Sequence, residues 1–379
     1  MYWKVPPRQH VGEPCHPSTP RDALMRTDFA ADALRLGGDY PCLGPNLNLP
    51  FFMALIQPLG KLPFTQAWIT WTLLSILGGL LGVALVVKTI GGDHPFSSWL
   101  LGSSFLFIYY PTLSNFALGQ VTLLLLPILT LAWHDLRRGR EYSAGLWLGL
   151  LIGLKPFFAI LLPALLIQRR WIAILSASAS GLVTLLIGYA FFGAEAYSHY
   201  AILAADVTWS GANWNGSWAG VIERIISGQQ SSTLPQGSHI ARSWTAVISI
   251  ATLVLMLILL WLHREKHKSL KLQSDALIAA GIPTALLVSP LGWSYYFPLL
   301  MIPVVIAWGM TKFQYFGRKW KLLLILPIAL SMTPTTLRPS PRPESPSLWW
   351  GVDSIYFYSL ALLLILCLTL KIKCTEIED

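Results

Sequence analysis

Residues 143–171 read SAGLWLGLLIGLKPFFAILLPALLIQRRW, two apolar runs joined at Lys155-Pro156. Arginines fence the stretch at both ends, Arg137, Arg138 and Arg140 before it and Arg169-Arg170 after it. Cationic flanks of apolar helices favour the cytoplasmic side, so two fences on one side require the segment to enter the membrane and return. Lys155 then sits at the tip of a hairpin. Each arm has about a dozen residues, roughly 18 Å at 1.5 Å per residue, well short of a hydrocarbon core of about 30 Å. The tip is predicted to lie within the membrane's thickness. A lysine there either faces a wet cavity or an anionic partner, which makes it a functional-site candidate, or it snorkels to the far headgroups.

Composition agrees with that reading. The 379-residue chain is 54% hydrophobic and 12% charged, with a mean hydropathy of +0.56. Apolar runs recur along its whole length, as in an all-α polytopic membrane protein. Its net charge of +9 does not point to nucleic acid, because the basic residues gather in short loops between apolar runs and form no stripe with interleaved aromatics. Cys15, Cys42, Cys367 and Cys374 show no CxxC or Cys/His spacing, so neither a zinc site nor another metal centre is predicted.

Residues 1–64 contain prolines, scattered charges and no run long enough to span a membrane. Thr27 caps a short predicted helix that carries Asp28 and Asp32 and ends at Gly37-Gly38. Asn46 to Leu59, broken by Pro50 and Pro58, suits an interfacial element. Spans are predicted at 66–87, 98–112, 117–133, 172–193, 243–262, 275–290, 295–310, 321–335 and 352–370. With the hairpin arms this makes about eleven apolar segments, leaving 374–379 as a cytoplasmic tail. Lys and Arg crowd the loops around 88, 137–140, 169–170, 264–271, 312–321 and 371–373, which identifies those loops as cytoplasmic. The outer side then receives residues 1–64, the loop 194–242, the Pro-rich 336–347 and Lys155.

Loop 194–242 holds His199, Asp206, Trp209 and the run Asn213-Trp214-Asn215-Gly216-Ser217-Trp218. Aromatic rings beside amide groups suit carbohydrate, whose apolar faces stack while its hydroxyls need partners. A single tryptophan at this level reads first as an interfacial belt residue, whereas the Asn213 to Ser217 cluster does not, since a belt does not require two asparagines. Gly119-Gln120 and Ser289-Pro290-Leu291-Gly292-Trp293-Ser294-Tyr295-Tyr296 reach the same face.

The order of these motifs resembles the GT-C glycosyltransferases of family 87, the polyprenol-phosphate-mannose-dependent mannosyltransferase group. The shared features are Asp28-Phe29, Gly119-Gln120, Ala144-Gly145 through Lys155-Pro156, Asn215-Gly216-Ser217 with Gly220 and Arg224, and Ser289-Pro290 with Trp293, across residues 26–310. The resemblance implies a GT-C-like bundle over residues 65–373 in a bacterial inner membrane, with its active site on the outer face. It implies inverting transfer of mannose or another hexose from a polyprenyl-phosphate donor to a lipid or glycan acceptor, with no cofactor. Asp28 is the base by family position, and Asp32, four residues on along the same helical face, is the reserve. Lys155 is the phosphate partner, and Arg224 is able to share that role. Gln120, Asn215, Ser217, Trp293, Tyr295 and Tyr296 complete the expected substrate contacts.

The chain departs from the pattern twice. Relatives often continue the Ser-Pro-x-x-Trp turn into a histidine, where this chain has Tyr295-Tyr296, and tyrosine lacks histidine's proton chemistry near neutral pH. Relatives also carry a membrane helix ahead of the Asp-Phe segment. Since Pro6, Pro7, Pro14, Pro17 and Pro20 preclude a spanning helix there, the expectation is that a first helix belongs upstream. A transporter or flippase of a lipid-linked substrate is the alternative class, and a non-catalytic scaffold ranks third. No repeat relates the two halves, and the spans are almost free of acids, which weighs against transport.

Overall fold

The computed structural model describes residues 48–91, 93–205, 210–227, 239–266, 269–310, 317–334 and 352–374. Asp28, Asp32, Asp206, Trp209, Cys15, Cys42 and the segment 336–347 lie outside the described residues. The described helices are α1 (Pro50–Gly60), α2 (Phe64–Ile90), α3 (Pro95–Ile108), α4 (Tyr110–Ala117), α5 (Thr122–Arg137), α6 (Glu141–Leu154), α7 (Leu161–Ile167), α8 (Trp171–Ala205), α9 (Trp218–Ser227), α10 (His239–Lys266), α11 (Leu270–Val288), α12 (Met301–Met310), α13 (Gly317–Ser331) and α14 (Ile355–Cys374). Short 3-10 turns precede α7, α12 and α14 at Pro156–Ile160, Ser294–Leu300 and Val352–Ser354. Among the described residues, strand pairing is limited to one isolated bridge, Asn215 with Trp293.

Burial sorts the helices into layers. In α11 every residue from Gln273 to Leu287 is buried, and α5 is buried on most of its circumference. A helix apolar on all sides belongs in an interior, and these two form it. By contrast α2, α8 and α10 expose large apolar side chains such as Leu77, Leu182 and Ile250. These three are long and apolar enough to cross a membrane. Their exposed faces suit hydrocarbon rather than water.

Glycine spacing sets the closest packing. Gly145, Gly149 and Gly153 line the face of α6 that meets α8, where a Cβ on each would overlap Ala173 O, Ala177 O and Thr184 Oγ1. Ser176 and Ser180 of α8 donate to the carbonyls of Tyr142 (2.7 Å) and Leu146 (2.9 Å). Small residues and short side-chain hydrogen bonds hold helices together where the hydrophobic effect is absent. Contacts along α6 and α8 advance together, so the two helices run in the same direction. Residues 155–170 must therefore carry the chain back to its starting level. The lengths agree: α6 rises about 20 Å, and five residues of 3-10 helix plus seven of α-helix return about the same distance. Arg170 closes the excursion, donating to Leu136 O (2.9 Å) at the end of α5 and to Ser274 Oγ (2.9 Å) and Leu270 O (3.2 Å) at the start of α11. Beside it Arg137 pairs with Asp275 (3.1 Å), which also accepts from Trp133 Nε1 (2.7 Å).

Several elements differ from the sequence-based expectation. The run predicted at 98–112 ends at Ile108 and restarts at Tyr110, because Pro111 has no N–H for the Phe107 carbonyl and its ring would strike that group. The segment predicted to start at 117 becomes helical only at Thr122, after a turn at Gly119 (φ 57°), whose carbonyl accepts from Trp71 Nε1 (3.0 Å). The predicted loop 194–242 is partly helical. Gly193 (φ 71°, ψ −178°) is not helical and divides α8 into two helical arms across a kink, and α9 follows. The segment predicted to be interfacial contains α1, started by Pro50, with Phe51, Phe52 and Ile56 buried.

Candidate functional site

Lys155 adopts an extended backbone (φ −146°, ψ 108°), as a residue preceding proline prefers, and this ends α6 and turns the chain. Its side chain is buried. Nζ donates to Asn48 Oδ1 (2.7 Å) and lies 5.4 Å from the ring centre of Tyr296. Among the described residues no carboxylate comes within ion-pair distance of it. A buried ammonium with neutral partners is destabilising unless an anion completes it. Space for one is adjacent. A cavity of about 440 Å³ is bordered by Lys155, Tyr296, Tyr200, Ile160, Ser289 and Pro290. Its wall is mostly apolar, with Lys155 as its cation, a combination suited to the phosphate and first carbons of a lipid carrier.

The Asn-x-Ser loop and the Ser-Pro-x-x-Trp turn are joined beside this cavity. Gly216 N donates to Gly292 O (2.9 Å) and Ser294 N to Trp214 O (2.8 Å), so the Asn-x-Ser loop and the Ser-Pro-x-x-Trp turn form one unit. Asn215 is fully buried, its Nδ2 donating to Ser210 O (2.8 Å) and Pro290 O (2.9 Å) and its Oδ1 accepting from Ser217 N (3.1 Å). Ser217 Oγ accepts from Gly220 N (3.2 Å). A Cβ on Gly220 would sit 3.0 Å from Asn215 Cγ, which accounts for a glycine there. Arg224 is buried and donates to Ala212 O (2.8 Å), Asn215 O (3.2 Å) and Ser354 Oγ (3.2 Å). Asn215 and Ser217, expected as substrate contacts, thus have polar groups engaged in building the loop and fixing Pro290 at the cavity's edge, while Arg224, also expected as one, uses Nε and Nη1 to tie the same loop to Ser354.

Of the remaining expected contacts, Tyr296 borders the cavity and Trp293 and Tyr295 do not. They adjoin Tyr296 in a series of edge-to-face ring contacts, Trp293 to Tyr295 at 5.3 Å and Tyr295 to Tyr296 at 4.7 Å, and Phe157 likewise meets the Tyr296 ring edge-on at 5.1 Å. Gln120 is half-buried beside its own turn, Nε2 reaching Leu118 O at 3.5 Å, away from the cavity. Two residues near Lys155 were missed in the sequence. Tyr200 belongs to the arm beyond the Gly193 kink, and nothing in a polar loop marks one tyrosine over another. Asn48 lies 107 positions from its partner.

The family model of Glycosyltransferase family 87 matches residues 47–290, a stretch that opens beside Asn48 and closes at Pro290. Among curated proteins, the chain is similar to a polyprenol-phosphate-mannose-dependent alpha-(1-2)-phosphatidylinositol mannoside mannosyltransferase of Mycobacterium tuberculosis, 25% identical over 282 residues, covering 70% of this chain and 60% of the relative. A protein of the same description from Mycolicibacterium smegmatis is 26% identical over 249 residues (63% and 53%). A polyprenol-phosphate-mannose-dependent alpha-(1-2)-phosphatidylinositol pentamannoside mannosyltransferase of that organism is 25% identical over 309 residues (75% and 70%). The chain therefore spans 60% and 53% of the length of the first two relatives. No solved structure matches it.

Proposed function

Because the chain belongs to glycosyltransferase family 87, we propose that it is a membrane enzyme that moves mannose, or another hexose, from a polyprenyl-monophosphate donor to a hydroxyl of a glycolipid or glycan acceptor. The observation that carries this reading is Lys155, buried, unpaired by any carboxylate among the described residues, and bordering the 440 Å³ cavity. The names of the relatives supply the donor class and suggest a mannoside-bearing lipid as acceptor.

In the proposed reaction the acceptor oxygen attacks the anomeric carbon, the bond from that carbon to the phosphate oxygen breaks, and polyprenyl phosphate departs with the electron pair. Inversion follows from attack on the face opposite the leaving group. The acceptor's proton passes to a carboxylate, Asp28 or in reserve Asp32. Lys155 holds the phosphate as negative charge grows on it, an effect strengthened where water is excluded. About eleven apolar segments, the short hairpin included, hold this site on the outer face of the membrane, and the cavity's apolar wall accepts the first units of the prenyl chain.

The test is to offer purified protein in lipid nanodiscs a polyprenyl-phosphate-mannose and a mannoside acceptor, and to detect the new glycosidic bond by mass spectrometry. Transfer in the wild type and its loss in Lys155→Ala are expected. If proteoliposomes move the intact donor across the bilayer without cleaving it, the lipid-substrate transporter is the correct class.

A further inference from the structure

We propose that Asn48 is a positioning residue for the donor phosphate, and that being an amide rather than a carboxylate is what keeps Lys155 open to an anion. The inference rests on the reading of Lys155 as the phosphate partner. An ammonium has three N–H donors. One goes to Asn48 Oδ1 at 2.7 Å, and the ring of Tyr296 faces the charge at 5.4 Å. Both partners are neutral, so they orient Nζ at the cavity's edge without cancelling its charge. A carboxylate in place of the amide would form a buried ion pair that an incoming phosphate would have to break, and breaking such pairs is strongly unfavourable. An apolar side chain would leave the flexible lysine stem without an anchor.

The fold places Asn48 with care. Pro50 occupies the first turn of α1 and Leu49 is extended ahead of it (ψ 151°), which sets Asn48 one residue outside the helix. Against α8, α1 docks at Gly188, where a Cβ would lie 2.7 Å from Phe51 N and would overlap the Tyr197 hydroxyl. Tyr197 in turn donates to Leu185 O (2.8 Å), fastening the arm beyond the Gly193 kink to the same place. The segment carrying Asn48 and the arm carrying Tyr200 are thus seated together, Asn48 at the Lys155 Nζ and Tyr200 at the cavity wall.

The experiment compares full-length wild type, Asn48→Ala, Asn48→Asp and Lys155→Ala in nanodiscs. It measures donor KM and kcat with polyprenyl-phosphate-mannose, and the thermal shift given by undecaprenyl monophosphate alone. Asn48→Ala should raise donor KM about two- to tenfold with little change in kcat, the range expected for losing one hydrogen bond. Asn48→Asp should raise KM more than tenfold and lose the thermal shift, while unfolding without added undecaprenyl monophosphate at or above the wild-type temperature. A merely structural asparagine would move stability and donor use together. If Asn48→Asp keeps wild-type KM and thermal shift, or if both variants lose stability in proportion to activity, the positioning role is wrong. If the wild type neither uses the donor nor responds to undecaprenyl monophosphate, or if Lys155→Ala behaves as wild type, the reading of the site itself fails. Loss of response in Lys155→Ala with both Asn48 variants intact rejects Asn48 alone.

Discussion

A buried lysine whose partners are an amide and a ring is a poor choice for stability and a good one for holding an anion, so Lys155→Met separates the two. Removing the charge should stabilise the empty protein by about 1–3 kcal/mol, measured by thermal unfolding, because the desolvation of the ammonium is relieved. The same change should reduce kcat/KM for the donor by at least a hundredfold. Equal activity with raised stability would mean that the lysine serves no substrate. Asp28→Asn should abolish transfer and leave membrane insertion unchanged, since it removes proton-accepting capacity and little volume, and full turnover by that variant would shift the base to Asp32 or elsewhere. At this scale the sequence was informative about charge and silent about partners. Lys155 stood out because a cation interrupts an apolar run. Asn215, Ser217 and Arg224 could be recognised as polar residues at one face, yet whether such groups meet a sugar or a carbonyl of their own loop depends on folding. Here they meet the carbonyls of Ser210, Pro290 and Ala212. Asn48 gave no signal, because its meaning comes from a contact 107 residues away.

Among the elements, the pair α6 and α8 is the most exposed to single substitutions. Gly149→Leu places a branched side chain where even a Cβ would overlap the Ala177 carbonyl, so the helices must part, and a loss of about 3 kcal/mol or more is expected in thermal unfolding. Leu146→Val on the half-exposed side of the same helix should shift stability by less than about 1 kcal/mol. The G-x-x-x-G spacing at 145, 149 and 153 is visible in the sequence, and it encodes this contact. Helix boundaries were less legible. The break at Tyr109, the late start of α5 and the 3-10 turn at Ser294–Leu300 each follow from a proline or a glycine whose effect on an apolar run depends on whether neighbouring helices accommodate it. Arginines and lengths suggest a hairpin in the sequence, but they do not reveal that the segment after Lys155 begins as 3-10 helix at Pro156.

Across the molecule, the two ends of the bundle carry different burdens. The arginine end is a lock made by Arg137, Asp275, Trp133 and Arg170. Asp275→Ala removes the carboxylate that pairs with buried Arg137 and should lower stability by about 3–5 kcal/mol, while donor KM in the remaining folded protein stays as in the wild type because the site lies at the other end. Labelling of Cys42 by a membrane-impermeant thiol reagent on intact cells is expected if residues 1–64 face outward, and protection of Cys42 there would show that this segment does not reach the outer side. The Lys155 end is assembled from distant parts. Arg224 reaches Ser354 across 130 positions, and the backbone of Tyr356 packs against Gly216. Ribosomes add roughly 5–20 residues per second, so about 6–26 s pass between the synthesis of Arg224 and that of its partner. For that interval the loop holding Pro290 in place lacks one of its ties, although most of the chain has already been made. The segment carrying Ser354 and Tyr356 therefore acts as a timer. A nascent chain halted before residue 350 would hold every expected substrate contact and still present an unfinished loop to proteases.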